Sequence, residues 1–184
     1  SKKIVKALRT YSANKLSKLM NISEKISLLN YERYIKWSLP FDESNAHPAL
    51  LLFQGDVYRG ISADDFEKED FLFAQKSIRI LSGLYGIIKP LDLIQPYRLE
   101  MGTQIKIGKH NDLYEFWGDD ITNAINKDKN NDYLINLASV EYFKSINKNN
   151  LKSKLINIFF KEKRDGRYKI IGIHAKKARG LMSR

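Results

Sequence analysis

The sequence predicts a mixed α+β (mixed α/β) fold: one domain over residues 1–184, with a central mixed sheet flanked by helices. Three observations predict it. The first 38 residues carry apolar side chains at helical spacing. Beyond residue 49, short apolar runs bounded by Gly and Pro alternate with further helical stretches. Near the carboxy terminus, the turn "KRDGR" joins two strand-like runs, which makes at least one strand pair antiparallel. The domain divides into a helical part at about 1–38 and a mixed part at about 49–184.

The elements follow in order. Leu16, Met20, Ile22, Ile26, Leu29 and Ile35 form the apolar stripe of the helical part. Asn21 and Glu24 have capping-box spacing, and Pro40 closes the segment. "ALLLFQ" (49–54) reads as a buried strand and "GDVYRGIS" as the loop after it. Ser62 with Asp65 can cap a helix through "ADDFEKEDFLFAQ". "SIRIL" (77–81) and the alternating "TQIKIG" (103–108) read as strands. "HNDLYEFWGDDITNAINK" has helical spacing through Leu113, Phe116, Trp117, Ile121 and Ile125. "YLINLA" (133–138) is a strand, "EYFKSI" a short helix, and "KLINIFFKE" a strand leading through "KRDGR" to "YKIIGIHA". The basic tail "HAKKARGLMSR" is helical.

Composition narrows the function classes. With 43% hydrophobic and 11% aromatic residues the chain can build a core. Lys and Arg number 32 against 21 acids, a formal net charge of +11, which favours a polyanionic partner or, failing that, marks a basic solvated surface. The surplus sits at the two ends: residues 1–36 hold nine Lys or Arg against two Glu, and residues 161–184 hold nine against two acids. The absence of cysteine excludes disulfide scaffolds, cysteine zinc sites and thiol catalysis. His47, His110 and His174 are scattered and fit no metal-ligand spacing, so no zinc site and no cofactor is expected, and direct iron binding through oxygen-only Asp and Glu ligands is the weaker third reading. No apolar run approaches a membrane span or a signal-peptide core, so the chain reads as cytoplasmic, with no membrane partner.

Four stretches can carry chemistry. "LSGLYGIIKP" runs from a strand into a glycine turn whose backbone N–H groups could bind phosphate, with Ser82, Gly83, Gly86 and Lys89 as contacts. Its Leu-x-Gly-apolar-x-Gly pattern approximates a helix-hairpin-helix element, with one extra residue between the glycines; a simple tight turn explains the same glycines. "QPYRLEMG" gathers Gln95, Tyr97, Arg98 and Glu100, with Tyr97 pointing opposite to Arg98 and Glu100 if the segment is extended. Arg98 suits a phosphate or carboxylate, and Glu100 is either a general base or the brace of Arg98. "NLASVEYFK" sets Asn136 at a strand end, Ser139 at a helix N-cap and Glu141 on the first turn, either facing a ligand crevice or simply capping. "HAKKARG" clusters Lys176, Lys177 and Arg179, with Lys176 and Arg179 on one helix face, where they can hold phosphates or form a solvated face.

The blocks "FQGDVYRG", "RILSGLYGIIKPLDLIQPYRLEMGT", "NLASVEYF" and "FKEKRDGRYKIIGIHAKKARGLM" resemble, in this order, the YaaA family of bacterial peroxide-stress proteins. Members of that family usually begin with a strand and a Ser-Pro-Ala-Lys-like segment and continue past the last block, so the chain reads as truncated at both ends. The resemblance implies a cytoplasmic protein that limits free iron and oxidative DNA damage under hydrogen peroxide. It also implies a helix-hairpin-helix-like element at Leu81–Gly86 and a positively charged cleft that binds double-stranded or distorted DNA. An enzyme is the alternative: a pocket of Tyr97, Arg98, Asn136, Ser139 and Lys176, with Glu100 and Glu141 as catalytic candidates, acting on a nucleotide, nucleobase or other small anionic ligand. The glutamates favour this alternative, because carboxylates repel DNA.

Overall fold

A computed structural model describes residues 1–128 and 132–184. It confirms the mixed α/β class in a single domain. Three helices open the chain: α1 (Lys2–Leu8), α2 (Ala13–Met20) and α3 (Glu24–Lys36). Ser12 and Ser23 cap α2 and α3 by accepting from the backbone N–H of Lys15 and Ile26. The expected Asn21–Glu24 box gives way to Ser23, and Asn21 instead ends α2 in the left-handed conformation. Arg9 donates to the carbonyls of Tyr34 (2.8 Å), Ile35 (3.0 Å) and Trp37 (2.6 Å), so a cation on α1 satisfies the open carbonyl end of α3.

The middle differs from expectation. A two-residue strand β1 (His47–Pro48) leads into helix α4 (Ala49–Leu52), where a strand was expected, and then helix α5 (Asp56–Ile61), where a loop was expected. A short apolar run fits a buried strand or a buried helical turn equally, and here the turn wins. After a 3-10 turn at Ala63–Asp65 comes α6 (Lys68–Ser77). Its N-cap is Glu67, in a capping box with Asp70, while Ser62 makes no cap bond. Strands β2 (Ile80–Ser82) and β3 (Gly86–Ile88) form a hairpin, and β4 (Leu93–Ile94) pairs back to β1. Among the described residues "TQIKIG" gains only one bridge, Ile107 to His110, yet Thr103, Ile105 and Ile107 are buried while Gln104 and Lys106 are exposed. The alternation was real; the partner strand was not.

The expected long helix is two, α7 (Leu113–Trp117) and α8 (Asp120–Asn126), parted at Gly118, whose φ is +46°. β5 (Tyr133–Asn136), α9 (Val140–Phe143) and β6 (Lys154–Asn157) follow, with β5 and β6 parallel. β7 (Glu162–Arg164) and β8 (Arg167–Lys169) form the hairpin expected from "KRDGR", and α10 (Gly172–Ser183) ends the chain.

Among the described residues the strands form four separate two-stranded sheets, in place of the central sheet expected. The core compensates. One cluster runs through Ile4, Leu8, Leu16, Tyr34, Met101, Ile105, Leu113, Ile121 and Phe143, joining the amino-terminal helices to the middle of the chain. No helix among the described residues is long and apolar enough to cross a membrane.

Candidate functional site

The β2–β3 hairpin turns through Gly83–Tyr85, and Ser82 Oγ closes it by accepting from the Tyr85 N–H at 2.8 Å. Residues 80–88 are therefore extended on both sides of the turn, a β-hairpin where a helix-hairpin-helix element was expected. Both glycines are buried and serve close packing. A Cβ on Gly83 would lie 2.5 Å from the Leu99 carbonyl oxygen; one on Gly86, at φ +78°, would lie 2.9 Å from the Trp117 ring. Trp117 Nε1 donates to the Gly83 carbonyl at 3.0 Å and locks the turn. Lys89 is exposed, and its backbone N–H donates to Asp92.

The strap that follows, residues 97–102, alternates as an extended chain must. Leu99 and Met101 face the core, while Arg98 and Glu100 face out with side chains 45% and 55% exposed and paired at 3.0 Å. Tyr97 turns inward, its hydroxyl 2.6 Å from Ser82 Oγ and its ring edge-on to Tyr85 and Phe53. The Tyr34 hydroxyl donates to the Arg98 carbonyl and ties α3 to the strap.

Behind the strap lies a tyrosine cluster. Tyr58 on α5 stacks on Phe53 with centroids 5.1 Å apart, and Tyr142 on α9 packs against the main core cluster. Burial pushes the phenols of Tyr58, Tyr97 and Tyr142 well above their ordinary value. The neighbouring charges of Glu141 and Glu100 push Tyr142 further, and Arg98 opposes them. The three phenols are close enough to feel one another.

Glu141 accepts from the Gly102 N–H at 2.8 Å, so it fastens the end of the strap. Ser139 caps α9 by accepting from the Tyr142 N–H. Asn136 ends β5, where Nδ2 donates to Asn157 Oδ1 at 2.9 Å and Oδ1 accepts from the Ala138 N–H at 3.0 Å. Thus the structure groups Ser82, Tyr97, Arg98, Glu100, Ser139 and Glu141. No hydrogen bond or ion pair among the described residues joins Asn136, Lys176, Lys177 or Arg179 to that group.

Those three cations stand on α10, which packs against α5 at backbone contact. A Cβ on Gly60 would lie 2.5 Å from the Lys177 carbonyl oxygen, and one on Gly180 would lie 2.0 Å from that of Val57. Arg184 fixes the end of α10: it donates to the carbonyls of Ile61 (2.9 Å) and Ser62 (2.8 Å) and pairs with Asp65 at 2.8 Å. That bond holds the Asp65 carboxyl below its ordinary value. A shallow groove of about 540 Å³ on α8, lined by residues including Asp120, Asn126 and Lys152, contains none of the motif residues. Among the described residues no group of three or more His, Asp or Glu could hold a metal ion.

Sequence reasoning overlooked Tyr58, Tyr85 and the Gly60–Gly180 contact. The signal for the last was present: a glycine inside each of two helix-compatible runs is tolerated only for a reason such as close approach.

Fold and site together define a mixed α/β protein with a polar strap braced on a tyrosine cluster and a basic carboxy-terminal helix locked to the body by glycines. The chain belongs to the family described as "Peroxide stress protein YaaA", whose sequence model matches residues 1–184, and membership supports a role in peroxide stress. It is 56% identical over 183 residues to a UPF0246 protein of Acaryochloris marina, covering 99% of this chain and 73% of that protein. It is 52% identical over 186 residues to a UPF0246 protein of Saccharophagus degradans, covering 100% of this chain and 73% of the relative. A UPF0246 protein of Aliivibrio fischeri is 48% identical over 187 residues, covering 100% and 72%.

Proposed function

We propose that this protein binds DNA through its basic carboxy-terminal face during the response to peroxide, and so helps limit free iron and oxidative DNA damage. One observation carries the DNA reading. Residues 161–179 carry eight cations, Lys161 just before β7, Lys163, Arg164, Arg167 and Lys169 on β7–β8, and Lys176, Lys177 and Arg179 on α10, all exposed except the half-buried Arg179. Among the described residues only Arg164 of these is in an ion pair, with Glu162. Exposed cations without carboxylate partners are available to phosphate, and each phosphate neutralised releases counterions.

The arithmetic is testable. If six of these cations meet phosphates, log K falls with log salt at a slope of about −5.4, and affinity drops about 2,000-fold between 50 and 200 mM salt. Fluorescence anisotropy with a labelled duplex and a labelled bubble measures it. Replacing Lys176, Lys177 and Arg179 together by Ala is expected to make the slope shallower by about 2.7. Failure to bind either DNA at 50 mM salt would refute the reading. The iron arm is tested by whole-cell resonance of chelatable iron in peroxide-treated cells with and without the gene.

A second reading rests on a different observation: the Arg98–Glu100 pair stands exposed beside the buried Tyr97–Ser82 hydroxyl pair. Such a group could orient a nucleotide, a nucleobase or another small anion, with Glu100 and Glu141 as acid–base groups. Glu100→Gln and Glu141→Gln separate the two readings. A DNA binder keeps or gains affinity when a carboxylate is neutralised, whereas calorimetric binding of a mononucleotide would be lost only if the pocket reading holds.

A further inference from the structure

Of the motif residues Gln95, Tyr97, Arg98 and Glu100, Gln95 alone has no part in either functional reading, yet it is only 7% exposed. Its side chain clamps the end of α3: Oε1 accepts from the Ser38 N–H at 3.1 Å, and Nε2 donates to the Ser38 carbonyl at 3.2 Å and to Asn45 Oδ1 at 3.1 Å. Its backbone clamps a phenol. The Gln95 N–H donates to the Tyr85 hydroxyl at 3.1 Å, and that hydroxyl donates to the Gln95 carbonyl at 3.2 Å. The same hydroxyl accepts from Trp37 Nε1 at 3.1 Å. An indole N–H and a phenol oxygen are thus joined by a hydrogen bond, with Gln95 holding the phenol at one end and the residue after the indole at the other. Phe41 lies edge-on to both rings, 5.5 Å from Trp37 and 6.1 Å from Tyr85, and Trp37 is 6% exposed. Burial raises the Tyr85 phenol above its ordinary value, so it keeps its proton at neutral pH. Packing alone does not require the hydroxyl: Phe would fill the same space with no polar group to desolvate.

We propose that Trp37 and Tyr85 form a radical-transfer pair, which moves a one-electron oxidation from the indole to the phenol. The inference depends neither on DNA binding nor on a nucleotide pocket. The co-reactant is a one-electron oxidant of the radical class formed under peroxide. It gains the electron that Trp37 loses, and the Nε1 proton, made acidic by that loss, leaves to water. With Nε1 bare, the Tyr85 hydroxyl turns from the Gln95 carbonyl to the nitrogen 3.1 Å away. One electron and one proton then pass from phenol to indole. The Tyr85 O–H bond breaks, the Trp37 N–H bond forms, and neutral Trp37 is regenerated beside a neutral phenoxyl radical. The phenoxyl is the weaker oxidant of the two, which sets the direction. No cysteine is present in the chain to take the radical as a thiol would. The Tyr85 ring stands edge-on to Tyr97 at 5.3 Å, so the phenoxyl forms inside the aromatic cluster behind the strap.

Pulse radiolysis in azide tests the pair, because the azidyl radical oxidises indole in preference to phenol. In the wild type, indolyl absorbance is expected to decay as phenoxyl absorbance grows, at a rate independent of protein concentration. Tyr85→Phe and Trp37→Phe are each expected to lose this phase. Tyr168→Phe, which removes an exposed phenol outside the core clusters, is expected to keep it. A phase that persists in Tyr85→Phe, or a wild-type rate that scales with protein concentration, overturns the inference. Near-ultraviolet circular dichroism checks that each variant keeps its packing. A second measurement needs no variant: the wild-type phase is expected to slow in deuterium oxide, since a proton moves with the electron, and an unchanged rate overturns the transfer along the hydrogen bond. A merely structural Trp37–Tyr85 contact would produce neither the phase nor its isotope dependence.

Discussion

Replacing Gly180 by Ala tests how the basic helix is held. In an isolated helix the change is favourable by about 1 kcal/mol, because Ala restricts the unfolded chain and Gly does not. Here the new Cβ would lie 2.0 Å from the Val57 carbonyl oxygen, 2.8 Å from the Gly60 Cα and 3.0 Å from its carbonyl carbon. All three neighbours are backbone, so no side chain can rotate away and α10 itself must lift off α5. Overpacking costs about 1–3 kcal/mol, and a backbone collision belongs at the upper end. The net is a loss of about 2 kcal/mol, or about 4–8 °C in melting temperature for a chain of this size. Gly172→Ala supplies the control within the same helix, since a Cβ there meets nothing within 4 Å. It is expected to leave stability unchanged or raise it. Thermal melts of both variants read the contrast, and amide exchange across residues 172–183 reports whether α10 has loosened. A Gly180→Ala protein as stable as Gly172→Ala would refute the packing argument.

Two further outcomes follow from the buried phenols and the α10 anchor. The folded-state pKa values of Tyr34, Tyr58, Tyr97 and Tyr142 are raised by burial, so their contribution is fully present below the unfolded value near 10.0 and is lost as pH climbs through the folded values. Unfolding free energy should fall above pH 10 by about 1.4 kcal/mol per pH unit for each such phenol; Tyr58→Phe should make that fall shallower by one phenol's share, and an unchanged slope would contradict this. At the acid end, Asp65 is held below its ordinary 3.8 by Arg184, so the tether is present above that pH and lost as pH falls through the folded value. Arg184→Ala should return the Asp65 titration, followed by NMR, to its ordinary position, and an unchanged titration would assign the depression to another group.

Legibility in the sequence followed the range of the interactions. The amino-terminal helices, the β7–β8 turn and the in–out alternation of residues 97–101 are set by neighbours a few positions away, and each was readable. α4 and α5 were not. The run of Ala49–Leu52 is apolar enough for either element, and α5 contains a glycine that lowers helix propensity. What decides them lies far along the chain: Ala49 donates to the Asp92 carbonyl at 2.9 Å, and Gly60 meets Gly180. The expected central sheet failed for the same reason, because alternation at 103–108 states that a strand-like face is buried without stating that another strand will lie beside it.

The glycine turn has a packing role that the sequence pattern does not state. Gly83 and Gly86 look like residues that bare their amides to an anion. The groups that approach them are the Leu99 carbonyl and the Trp117 ring, both part of the protein. The turn therefore acts at one remove: it lets the strap lie flush, so that Tyr97 meets Ser82 inside while Arg98 and Glu100 stand outside. The exposed charges beside this turn are the Arg98 and Glu100 side chains. Substitution separates the two cases. Gly83→Ala should disturb Tyr97 and Arg98 together through the 2.5 Å collision with Leu99. A phosphate-cradling loop would instead lose anion affinity with the strap intact. The same packing role recurs across the molecule, where glycines set the close approaches at Gly60, Gly83, Gly86 and Gly180.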